Sequence, residues 1–198
     1  MRNTGIILLC AGTSLVLLCC RKQQEQVTHF TRADSVTHQY LEFKDSLMDT
    51  WNLLLHEDNS RIAAVKRVIQ ELQASEATDR DFLNALMGRA DQLLRIRFTP
   101  KTLSNTDVIE EYDFAATSVI TEAIAASERL PDFASRQQLQ EQINQIRRHD
   151  SLLQAYRLKY DRIATRYNAF LDLNKEILKE IDKTATDDKR PLFHLAEE

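Results

Sequence analysis

The sequence predicts an all-α protein, an antiparallel helical bundle of four to five helices with long helices at its N- and C-terminal ends. Three observations predict it. After the first 20 residues Gly88 is the only glycine, so the tight turns of a β-rich fold are scarce. Ala, Leu, Glu, Gln, Arg and Lys dominate, and these are strong helix formers. Apolar residues recur at steps of three and four along most of the chain, the spacing of one helical face.

The first element is a leader. Arg2 precedes an apolar stretch from Gly5 to Leu18, which ends at Cys19-Cys20 and turns abruptly polar. A charged start and an apolar centre are the layout of an export signal. The stretch falls short of the roughly 20 residues a spanning helix needs. Leu17-Leu18-Cys19-Cys20 resembles a bacterial lipobox. The resemblance implies removal of residues 1–19 and diacylglycerol on Cys20, with Cys19 the alternative acylation site. No cysteine follows Cys20, so a lipidated mature chain has neither free thiol nor disulfide and folds by burial alone. The competing reading is a short membrane helix, or an ordinary signal with incidental cysteines.

Residues 20–33 read as the anchor and a polar tether. The bundle spans 34–183 and a flexible tail 184–198. Thr31 to Asp34 has capping-box spacing, followed by apolar residues at Val36, Tyr40, Phe43, Leu47, Trp51 and Leu54. The polar run His56-Glu57-Asp58-Asn59-Ser60 interrupts this stripe, which resumes at Ile62, Val65, Ile69 and Leu72. Either the helix breaks there or one long helix is distorted, and the second reading is favoured. Thr78 to Asp81, Ser104 to Asp107 and Ser135 to Gln138 signal the next three helix starts. Pro100 and Pro131 bound the helices before them. The last helix is the longest, running to about Lys183. From Tyr156 to Ile181 its apolar positions alternate steps of four and three, a coiled-coil-like seam that includes Asn174. Its phase slips near His149-Asp150. Pro191-Leu-Phe-His-Leu could dock on the bundle, although a frayed tail is the simpler expectation.

Composition excludes several function classes. With residues 1–19 removed, some 179 residues carry a net charge of about −5, a poor match to nucleic acid. A single glycine forbids a P-loop or a dinucleotide-binding loop. His29, His38, His56, His149 and His194 all lack a glutamate three positions earlier, so the Glu-x-x-His pairs of a di-iron bundle are missing. No catalytic constellation, metal site or cofactor is therefore expected. His56, Glu57 and Asp58 could hold a cation, but a solvated bend is favoured. His149-Asp150 could form a polar layer, but a surface pair or simple stutter is favoured. Tyr156, Tyr160 and Tyr167 form a stripe whose default role is core, with partner binding as the functional alternative.

One region resembles a known family. Glu128-Arg-Leu-Pro131-Asp-Phe, Leu139, Arg157-Leu-Lys-Tyr160-Asp161 and Arg162-Ile-Ala-Thr-Arg-Tyr167-Asn168-Ala-Phe look like the C-terminal half of the LemA family, with its Tyr-Asn pair repeated seven residues apart. The resemblance spans residues 36–175, with Trp51 and Arg61 to Leu72 similar to the family's first long helix. The family's basic, proline-containing run is replaced here by His56 to Val65, and a lipobox stands where typical members have a membrane helix. The resemblance implies an antiparallel bundle at the cell envelope and no known reaction. It adds Asn168 to Tyr156, Tyr160 and Tyr167 as candidate partner-binding residues. The expected function is a non-catalytic interaction or scaffolding module, lipid-anchored in a bacterial envelope, with an envelope protein as partner. A metal-binding or enzyme-accessory bundle is the alternative, and self-association through the 156–181 seam a third.

Overall fold

The computed structural model describes residues 31–75, 79–184 and 188–193. Cys19, Cys20, the whole leader, Thr78 and His194 lie outside them. From Arg32 onward the chain forms one compact unit. Among the described residues there are five α-helices and no strand: α1 (Arg32–Gln73), α2 (Arg80–Ile96), α3 (Thr106–Glu128), α4 (Gln137–Leu173) and α5 (Lys175–Ile181). Short 3-10 turns at Thr102–Ser104 and Phe133–Ser135 precede α3 and α4.

Neighbouring helices among α1 to α4 run antiparallel where they pair, α1 with α2 and α4, and α2 with α3. α1 and α4 form the principal pair: the Tyr40 ring stacks on Tyr167 at one end, while Arg67 Nε donates to Gln142 Oε1 at 2.7 Å towards the other. α2 lies along the C-terminal half of α1, from Gln73–Asn84 through Lys66–Asp91 to Asn59–Arg97. α3 returns beside α2, with Arg89 forking onto Glu122 and Phe98 against Tyr112. The Arg89 hydrogen bond holds the Glu122 carboxyl below the usual carboxylate range. Three helices, α2, α3 and α4, therefore pack around the C-terminal half of α1. Its N-terminal half pairs with the C-terminal half of α4, where α5 and residues 188–193 complete the packing.

The apolar stripes form the interior. Leu54, Val65, Ile69 and Leu72 of α1 face Leu83, Leu86 and Ala90 of α2, Ala116, Val119 and Ala123 of α3, and Leu139, Ile146, Leu153 and Ala164 of α4 in one core. Each fully buried aliphatic side chain stabilises the fold by about 1.5–3 kcal/mol relative to exposure.

Several expectations need correcting. The favoured reading of one helix through residues 56–60 is not among them, since α1 runs through that stretch without a break. The capping side chains are Asp79, which accepts from the Asp81 and Phe82 amides, and Asn105, which accepts from Asp107. Each cap sits one residue later than the Thr78 and Ser104 starts. Ser135 caps nothing: its hydroxyl donates back to the Asp132 carbonyl, inside the 3-10 turn that precedes α4. The last helix does not reach Lys183 in one piece. Asn174 interrupts it, its amide donating to the Phe170 carbonyl at 3.0 Å, and α5 starts afresh. An Asn side chain that bonds local backbone competes with the helical ladder, which an apolar count cannot register. Ile181 is consequently exposed rather than in the seam. Residues 188–193 are not frayed but lie against α1 and α4, with Phe193 only 5% exposed.

Candidate functional site

The two polar interruptions in the sequence meet in space. Glu57, Asp58 and Arg61 are all buried on α1. Helical spacing puts Asp58 and Arg61 on one face, and the Arg61 guanidinium donates to Asp58 Oδ1 at 2.8 Å. Its other nitrogen donates to Asp150 Oδ1 on α4 at 2.6 Å. His149 Nδ1 lies 2.7 Å from Glu57 Oε2, and since a carboxylate only accepts, the ring nitrogen donates. His149-Asp150 is therefore half of a polar layer between α1 and α4, rather than a surface pair or stutter. Glu57 and Asp58 belong to the same layer, rather than to a solvated bend, whereas His56 is exposed.

Asp58 is the hub of that layer. Its side chain is 1% exposed, and it also accepts from the Tyr112 hydroxyl of α3 at 2.6 Å. Arg97 Nε, just past α2, stands 2.7 Å from Asp58 Oδ2 as a close ion pair. One carboxylate thus ties together α1, the α2–α3 connection and α3, and Arg61 extends the tie to α4. Burial and the facing Asp58 carboxylate push the Tyr112 hydroxyl up to about 12. Burial pulls the Arg61 pKa down, but the Asp58, Tyr112 and Asp150 partners outweigh it and raise it above the ordinary value.

A second buried cation lies next to the layer. Arg157 of α4 is 1% exposed and forks onto Asp113 of α3 with two 2.7 Å hydrogen bonds. Its guanidinium carbon lies 5.1 Å from the Phe98 ring centre and 5.2 Å from that of Phe193. Trp51, Phe98 and Tyr160 surround the Phe193 ring at centroid distances of 6.2, 5.3 and 5.7 Å. A desolvated cation over aromatic faces is worth on the order of 2 kcal/mol.

Of the tyrosines singled out from the sequence, Tyr160 and Tyr167 are buried, and Tyr156 packs at the margin of the core. The Tyr167 hydroxyl donates to Asp188 Oδ2 at 3.0 Å. Burial, foremost, raises the pKa of both Tyr160 and Tyr167. The Asn168 amide makes two 2.8 Å bonds to one residue, donating to the Arg190 carbonyl and accepting from the Arg190 N–H. Asp161, one heptad earlier, accepts from the Phe193 N–H at 2.8 Å. Lys189 pairs with Asp172 at 2.9 Å.

Sequence reasoning gave no site role to Tyr112, Asp113 or Arg157, and it left the basic Arg95-Ile-Arg97 on a solvated face, whereas the Arg97 side chain is mostly buried against Asp58. A signal existed for Arg157, a cation standing between Leu153 and Tyr160 on a buried stripe. None existed for the others, whose partners lie on distant helices. Among the described residues, no group of three or more His, Cys, Asp or Glu converges as a metal ion would require. Among them too, no helix is long and apolar enough to cross a membrane.

No protein-family model, curated protein or solved structure matches this chain.

Proposed function

We propose that this protein is a lipid-anchored, LemA-like helical bundle of the bacterial cell envelope, serving as a non-catalytic interaction module. The observation that carries the reading is the closure of the polar layer on itself. Asp58 is matched by Arg61, Arg97 and Tyr112, Glu57 by His149, and Asp150 by Arg61. Most of their hydrogen bonds hold helices in register, the best-attested use of buried polar groups, while Arg61 Nε and Arg97 Nε are buried without a hydrogen-bond partner. Long faces then remain for recognition. One is an open groove of about 500 Å³ between α1 and α4, lined by Glu42, Asp45 and Asp49 together with Ile163 and Arg166. The resemblance to LemA proteins at Tyr160-Asp161 and Tyr167-Asn168 supports the family assignment, and the lipobox at Cys20 supports the anchor.

The test has two parts. Cys20→Ala should shift the protein from the membrane to the soluble fraction, and mass spectrometry should find the mature wild-type chain starting at an acylated Cys20. Retention of the variant on membranes, or an intact unmodified leader, would overturn the anchor. Crosslinking in the native envelope should capture a stable protein partner. Stoichiometric metal in the purified protein would instead favour the metal-binding alternative.

A further inference from the structure

Residues 188–193 bind the bundle as a ligand binds a receptor. The segment is held through its own backbone by side chains of α4: Asn168 brackets Arg190 on both its N–H and its carbonyl, and Asp161 takes the N–H of Phe193. These are the bonds a neighbouring β-strand would make, and they recognise an extended chain whatever its sequence. The spacing fits as well. Asp161 and Asn168 are two helical turns apart, about 10.5 Å along α4. Residues 193 and 190 are three residues apart, about 10 Å of extended chain. The segment therefore runs antiparallel to α4, in step with its heptad. Sequence preference comes from two further contacts. The Phe193 ring enters the box of Trp51, Phe98 and Tyr160 over Arg157, and Lys189 meets Asp172.

We propose that this face of α4 is a recognition track for an extended peptide of the chemistry cation–proline–aliphatic–aromatic. Residues 188–193 occupy it in the closed chain, and a segment of the same chemistry from a partner protein takes their place. The partner half of this rests on the interaction-module reading above, whereas the exchange of the segment does not. Apart from the Phe193 ring the segment is exposed or half-exposed, so an incoming peptide has access to the track. The charge complementarity is that of Asp172 on the track with Lys189 of the segment.

The experiment uses the full chain with a protease site placed over residues 185–187, folded first and then cut. The probe is a fluorescein-labelled peptide with the sequence of residues 188–193. The cut protein should bind it saturably, at least about tenfold more tightly than the uncut protein, whose tethered segment competes at millimolar effective concentration. A peptide methylated on the backbone nitrogen of the Arg190 position should bind about tenfold or more weakly, as should one with Phe193→Ala, while the protein itself is unaltered. Intrinsic fluorescence of Trp51, the one tryptophan, should report the exchange. Cut protein that keeps its helical circular dichroism yet takes no peptide would overturn the proposal. Equal binding by cut and uncut chains would do so as well, as would indifference to N-methylation. Unfolding on cleavage would show the segment to be a core element and not an occupant. If the uncut chain dimerises by exchanging its C-terminal segments, the source is a second copy and the partner-protein claim falls. Envelope crosslinking that succeeds while peptide exchange fails would remove this inference alone.

Discussion

Asp58 is the most deeply buried carboxylate among the described residues. It has two cations and a hydroxyl around it and almost no water. Removing one member of such a set costs more than the set contributes, because the remaining charges stay buried without a partner. Asp58→Ala should therefore lower the unfolding free energy by about 3–5 kcal/mol in a denaturant titration, whereas loss of an exposed pair such as Lys179–Glu176 should cost at most about 1 kcal/mol. Tyr112 predicts a pH effect. Its hydroxyl is pushed up to about 12 in the fold, above its unfolded value near 10. A raised tyrosine pKa means the folded state holds the proton more tightly. The resulting stability is complete below pH ~10 and is lost as pH rises through ~12, amounting to up to about 3 kcal/mol. Stability should fall across that window, and Tyr112→Phe should flatten the fall; an unchanged alkaline slope would refute the assignment.

At the scale of elements, the helices differ in what makes them helical. α2 has an Asp79 cap, an acidic first turn and a basic last turn, so its ends are locally specified. It also contains Gly88, exposed in mid-helix, where a Cβ would meet nothing within 4 Å. Gly88→Ala should stabilise the protein by roughly 0.5–1 kcal/mol and raise Tm by about 1–4 °C, measured by thermal circular dichroism. α1 is the opposite case. Its 42 residues include the polar run 56–60, and it persists there because α2, α3 and α4 supply partners for the charges. The break at Asn174 shows local chemistry prevailing over periodicity, since the side-chain bond to Phe170 ends α4 although the apolar rhythm continues to Ile177.

Over the whole molecule, the C-terminal segment links the two halves of the bundle. Phe193 touches Trp51 of α1, Tyr160 of α4 and Phe98 of the α2–α3 connection, and it covers the Arg157 cation that α4 sends to Asp113 on α3. Phe193→Ala should cost up to about 3 kcal/mol and change the Trp51 emission, while far-UV circular dichroism stays helical because the segment contributes no helix. A collapse of the helical signal would mean that the bundle cannot form without it.

The sequence by itself determined what depends on near neighbours. Scarce glycine and three-four spacing set the helical class, Pro100 and Pro131 set two helix ends, and Val36 to Leu72 and Leu139 to Phe170 marked the buried faces. It also located both halves of the polar layer, at residues 56–60 and 149–150, as defects in their stripes. Only the tertiary structure decided that these defects are partners. Glu57 and His149 stand 92 residues apart, and whether they meet depends on the register in which α1 and α4 pack. The same holds for the segment at 188–193, whose six residues carry no period. Its position is chosen by an aromatic box and by backbone-reading side chains drawn from α1, α4 and the α2–α3 connection, a conjunction no local pattern encodes.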